Sequence, residues 1–103
     1  MVYSYEFTDL AIKDVNDVLN YIENKLFNYE AARNLLTLIE KTIVNVCSFP
    51  KAYPNCKYYF IKDDSIRHVL IKNYILVFKI YESSIIKCLI LFFNIINFLL
   101  LYK

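Results

Sequence analysis

Glycine is absent from this chain, and no other single feature removes as many folds and functions. Backbone that turns with φ > 0, or that approaches a phosphate closely, ordinarily needs a residue without Cβ. A Walker loop, a dinucleotide-binding turn and a nucleophile elbow all depend on such positions. None of them can be built here. Tight turns must instead use Asn, Asp or a strained residue, and Asn73, between two strand-like runs, is the natural candidate for a left-handed position.

The pattern of apolar residues defines the elements. Val2–Phe7 alternates as a strand, with Tyr3, Tyr5 and Phe7 on one face. Thr8 or Asp9 offers an N-cap. Ala11, Val15, Val18, Leu19, Ile22 and Leu26 then recur at helical spacing opposite a polar face, which predicts an amphipathic helix. Asn28 can cap a second helix, with Glu30 in its first turn suiting the positive end of the dipole. The apolar stripe of that helix is Ala32, Leu35, Leu36, Ile39, Ile43 and Val46, and Pro50 marks its end. After an aromatic and proline loop come strand-like runs at Lys57–Lys62, Ile66–Ile71, Ile75–Tyr81 and Ile85–Phe93. In Ile75–Tyr81, Lys79 marks the face of Ile75, Val77 and Tyr81 as the wetter one. The expected fold is α+β, a single domain over 1–103: a small antiparallel sheet packed against an N-terminal helical hairpin, in the order β-α-α-β-β-β-β.

Composition narrows function mostly by exclusion. With 58% hydrophobic residues, ten Tyr and eight Phe, the chain is not a disordered segment; its bias toward Ile, Asn, Lys, Tyr and Phe is that of an AT-rich gene. Cys47, Cys56 and Cys88 leave an odd thiol under any pairing and show no C-x-x-C spacing. Reduced, buried cysteines in a cytoplasmic protein are expected. With one histidine and scattered cysteines no metal site is expected, and neither cofactor nor small-molecule substrate is called for. Residues 1–50 hold four Lys/Arg against seven Asp/Glu, while 51–103 hold eight against three. The second half is therefore suited to an anionic partner, though less strongly than a dedicated nucleic-acid stripe. Residues 94–103 form an atypical apolar C-terminal tail. The uncharged run Cys88–Tyr102 would span only about 22 Å as a helix, against roughly 30 Å of hydrocarbon, so membrane insertion is not expected.

Five stretches in order, Phe7-Thr-Asp-Leu-Ala11, Ala31-Ala-Arg-Asn-Leu-Leu36, Ser48-Phe-Pro-Lys-Ala-Tyr-Pro54, Ile66-Arg-His-Val69 and Asn73-Tyr-Ile-Leu-Val-Phe-Lys-Ile80, resemble the RelE/ParE toxins of type II toxin–antitoxin systems, in particular the plasmid-stabilisation ParE-like branch. The resemblance runs from about residue 2 to residue 90. It implies a bacterial growth-inhibiting toxin neutralised by a cognate antitoxin, which lays a segment over the toxin's helices and sheet. It also implies one of two targets: DNA gyrase for ParE-like members, or messenger RNA cut in the ribosome for RelE-like ones.

The rarest side chains bear on that choice. Arg67 matches a position where RelE-like nucleases carry a base, but Val69 and Ile75 stand where such enzymes carry further bases, and Leu89–Phe98 contains none. Cleavage of RNA by its own 2′-hydroxyl needs a proton acceptor, a proton donor and positive charge on the phosphate. Arg67 and His68, weak catalytic candidates, are adjacent on a strand and so face opposite ways. A non-enzymatic, gyrase-binding toxin is therefore expected, with Arg67, Lys72, Tyr74, Lys79 and Tyr81 as candidate contacts to target or antitoxin. The alternatives are a RelE-like endoribonuclease, or a degenerate remnant that only binds antitoxin.

Overall fold

The computed structural model describes residues 3–55 and 64–93. Strand β1 (Ser4–Phe7) leads into helices α1 (Asp9–Asn24) and α2 (Tyr29–Ser48), a short 3₁₀ turn (Pro50–Ala52) and strands β2 (Ile66–Ile71), β3 (Tyr74–Tyr81) and β4 (Ile85–Phe93). The strand expected at Lys57–Lys62 lies outside the described residues, as do Cys56 and the tail at 94–103.

Both helix starts follow from their caps. Thr8 Oγ1 accepts from the Ala11 amide (3.0 Å) and Asn28 Oδ1 from the Ala31 amide (3.0 Å). Each satisfies a donor that the first turn leaves without an intrahelical partner. The hairpin between them turns at Phe27, whose φ is 51°. Among the described residues, Lys72 and Ser84 are also left-handed, with φ of 53° and 63°, so the glycine substitute in the β2–β3 turn is Lys72 rather than Asn73. Only the first of the two loop residues is left-handed there, the sign pattern of a II′ turn. Ser84 closes a three-residue loop after Glu82 and Ser83, its amide donating to Tyr81 O (3.1 Å). Each of these residues bears about 1–2 kcal/mol of backbone strain that glycine would avoid.

The sheet order is β1-β4-β3-β2. Its three later strands are antiparallel, as expected, but β1 pairs with β4 in parallel, so the sheet is mixed. Helix α2 causes this by carrying the chain back to the level of Tyr3, whose amide donates to Cys47 O (2.9 Å). Strand β2 thus starts where β1 starts, and two reversals later β4 runs in the sense of β1.

Strand β1 covers β4 only from Ile85 to Cys88. Past that point, α1 supplies the missing partners: the Thr8 hydroxyl donates to Leu89 O (2.7 Å), and Asp14 Oδ2 accepts from the Leu91 amide (3.0 Å). Thr8 therefore caps a helix and ties down a strand edge at once. Thr8→Val is expected to lower stability by about 1–2 kcal/mol, with most of that loss absent in Thr8→Ser. Equal urea midpoints for the Val variant and wild type would show that neither bond matters.

One core lies between helices and sheet. It contains Ala11, Leu35, Ile39, Ile43 and Val46 from the hairpin and Ile71, Leu76, Phe78, Ile86, Cys88 and Leu91 from the sheet. Leu26 and Leu36 of the expected stripes are exposed: Leu26 falls past the end of α1, and Leu36 sits on the flank of α2. Cys47 and Cys88 are buried, as expected of small apolar side chains; burial pushes both thiols up, Cys88 to about 12. A second cluster occupies the opposite face of the sheet. There Ile75 and Val77 are 0% and 2% exposed, with Ile66, Leu89, Ile90 and Phe92 packed against them. The face marked as wetter by Lys79 is thus closed at Ile75 and Val77, while Leu70 beside Ile75 is exposed.

Candidate functional site

Arg67 stands opposite Phe78 on β3, an arrangement that turns its side chain toward the helix layer. The guanidinium then meets the 3₁₀ turn. Nη1 donates to Lys51 O (3.0 Å) and Tyr53 O (2.7 Å), and Nε donates to Asp64 O (3.1 Å). Those carbonyls come from the two stretches that flank the start of β2, and the Asn55–Arg67 bridge with the His68 amide to Pro54 O bond (3.1 Å) holds the same segment from the other side. A planar, always-charged fork suits three converging carbonyl dipoles well. Arg67 is thus a clasp between loop and sheet.

His68 pairs with Val77 on the other face, so the two adjacent candidates do not converge. Burial pulls the His68 imidazole below its usual 6.5, and a hydrogen bond to the Asn55 backbone offsets this in part. The unfolded chain therefore takes up a proton before the folded one does as pH falls. Stability is held above the ordinary histidine range and declines below it. The difference in melting temperature between about pH 7.5 and about pH 5.5 is expected to shrink in His68→Asn. An unchanged difference would mean that other groups carry the acid sensitivity.

The remaining candidates separate into two regions. Lys79 and Tyr81 share the outer face, the ammonium lying 5.3 Å from the ring centroid, a favourable cation–π distance. Lys87 sits directly opposite Lys79 and lies 3.6 Å from Glu6. It joins this patch only through the β3–β4 register, and no local motif announces it. Lys72 and Tyr74 are at the other end of the sheet, Tyr74 lying about 17 Å from Lys79 along β3 at the usual strand rise. Tyr74 packs on the core beside Phe93, ring centroids 5.8 Å apart, and burial pushes its phenol up.

Arg67 and Tyr81 do meet at one place. A concavity of about 340 Å³ at the end of the core is lined by Tyr3, Lys51, Asp64, Arg67, Tyr81 and Glu82, among others. Its described charges balance, Lys51 and Arg67 against Asp64 and Glu82, so it lacks the field that would concentrate a polyphosphate. Among the described residues, no group of His, Cys, Asp and Glu could hold a metal ion, and no helix is long and apolar enough to cross a membrane.

A helical hairpin laid on one face of a four-stranded mixed sheet is a fold shared with chains of two solved toxin–antitoxin systems. The chain is similar to a solved chain of the chromosomal ParDE system of Pseudomonas aeruginosa, with a TM-score of 0.69 and 13% identity over 89% of this chain and 96% of that one. It is also similar to a chain of the RelBE2 toxin–antitoxin complex of Mycobacterium tuberculosis, with a TM-score of 0.63 and 14% identity over 90% and 99%. No curated protein matches the sequence. Residues 5–92 match the family described as the ParE toxin of the type II toxin–antitoxin system, parDE. The chain belongs to the ParE toxin family.

Proposed function

We propose that this ParE-family toxin arrests growth by binding DNA gyrase and is held inactive by a cognate antitoxin. It acts as a macromolecular ligand rather than a ribonuclease. The observation that carries this reading is the engagement of Arg67. The residue that would steady a phosphate in a RelE-like nuclease has Nε and Nη1 committed to backbone carbonyls, while the neighbouring imidazole is on the opposite face and is held toward its neutral form. Proton transfer and phosphate stabilisation need groups aimed at one reacting centre. Lys72, Lys79 and Tyr81, spread over the sheet, suit a broad protein contact instead.

The antitoxin is expected on the helical hairpin, where Leu10, Ile12, Tyr21, Leu26, Phe27 and Tyr29 are exposed. An amphipathic segment would remove that surface from water. The test is a pair of assays on purified protein. Gyrase supercoiling should be inhibited in proportion to added toxin and restored by the antitoxin, while ribosome-bound message stays intact. Message cleavage that disappears in Arg67→Ala, with supercoiling unaffected, would replace this reading by the nuclease one.

A further inference from the structure

The concavity at the end of the core brings together four charged side chains that leave one another unpaired. The Ile80 amide donates to Ser65 O (2.8 Å), which brings Asp64 and Glu82 to the same end of the sheet, where β2 begins and β3 ends. Lys51 comes from the 3₁₀ turn, and the Arg67 guanidinium lies between, with Nη1 on Lys51 O and Nε on Asp64 O. Among the described residues these two cations and two carboxylates form no ion pair with one another. Each also has capacity left. Arg67 Nη2 has no partner among the described residues, so a guanidinium already fixed by three carbonyls keeps two N–H donors. Asp64 accepts from the Asn55 side chain on Oδ1 alone.

We propose that this concavity is a binding site for a zwitterion. Arg67 and Lys51 hold its carboxylate, Asp64 and Glu82 hold its ammonium, and an apolar side chain rests against Tyr3, Ile80 and Tyr81. Charge selects the class of ligand. A simple anion or cation would be attracted by one pair of side chains and repelled by the other, whereas a zwitterion satisfies both and brings no net charge. Size agrees: about 340 Å³ is at the small end of ligand pockets, which run from roughly 300 to 1,000 Å³. A free α-amino acid is the smallest molecule with this chemistry. A peptide segment carrying one basic and one acidic side chain is the other source of it. The binding chemistry is independent of which macromolecule the toxin arrests.

The test is an amide-shift titration of the nitrogen-15-labelled full chain with L-phenylalanine. Saturable shifts at residues 64–67 and 80–82 are expected at about 1–10 mM. N-acetyl-L-phenylalanine lacks the ammonium and L-phenylalaninamide lacks the carboxylate, and each should bind at least about tenfold more weakly. Lys51 and Glu82 are exposed, so their Gln variants leave the fold intact. Lys51→Gln should weaken phenylalanine by about twofold or more and leave the amide derivative unchanged. Glu82→Gln should weaken phenylalanine similarly and leave the acetyl derivative unchanged. The peptide acetyl-Lys-Phe-Glu-amide decides the source: tighter binding than phenylalanine assigns the site to a segment of a partner, weaker binding to a free amino acid. The absence of saturable shifts with every probe would overturn the proposal. So would equal affinity for all three phenylalanine compounds, which would reduce the site to an apolar contact, or binding that both Gln variants leave unchanged.

Discussion

Phe78→Ala should cost about 3–5 kcal/mol and leave little native protein at 37 °C, since a domain of this size has roughly 5–15 kcal/mol in total. Three features place this residue at the upper end of that range. Its ring is 0% exposed, the largest of the fully buried side chains. It stacks edge-on with Tyr53, centroids 6.0 Å apart at 86°, and so joins the sheet to the loop after α2. It also sits at a β-bulge, where pairing passes from Val77–Ile90 to Phe78–Cys88 and Leu89 is the extra residue. The cavity cannot collapse easily there, because backbone on both sides is already held by ladder bonds and by Thr8. Leu35→Ala and Ile39→Ala, on the helix side of the same core, are expected to cost about 2–5 kcal/mol. Urea unfolding followed by circular dichroism checks both, and a loss under about 1 kcal/mol at Phe78 would be incompatible with this packing.

Arg67→Ala is expected to destabilise by about 2–3 kcal/mol. A hydrogen bond from a charged donor contributes roughly 1.5–3 kcal/mol when buried, and three are lost at once. The site is partly exposed, so water can re-solvate the carbonyls of Lys51, Tyr53 and Asp64 and the total falls well short of a simple sum. Arg67→Lys should recover less than half, because one ammonium cannot span carbonyls that a guanidinium reaches from two edges. Per folded molecule, gyrase inhibition by Arg67→Lys should match wild type. A loss of activity exceeding the loss of folded protein would return Arg67 to the functional surface.

Much of the architecture was legible because it depends on local chemistry. Caps at Thr8 and Asn28, two amphipathic stripes and the runs ending at Tyr81 and Phe93 are short-range signals, and the structure contains all of them. What was not legible depends on register between distant strands. The bulge at Leu89 shifts the period of β4, so that Ile86, Cys88 and Leu91 all face the helices, a spacing no alternation pattern predicts. The parallel edge of the sheet likewise follows from where α2 ends and not from any feature of β1. At the candidate site, alternation correctly separated Arg67 from His68. The three carbonyls that engage Arg67 come from backbone, which carries no residue-type signal at all. Leu36 and Leu26 failed for a simpler reason: an apolar residue at the margin of a stripe is as compatible with a helix flank as with a core.

The pairing of β1 with β4 bears on how the molecule is made. Phe7 finds its place only when Cys88 has been synthesised, and at roughly 5–20 residues per second that interval lasts about 4–16 s. Throughout it the helical hairpin can form, since its contacts are close in sequence, but the sheet beneath it lacks the strand that joins its first residues to its last. The nascent toxin therefore passes through a stage with its helices assembled and β4 not yet translated. A partner that grips the helices could engage it then, before the complete fold exists.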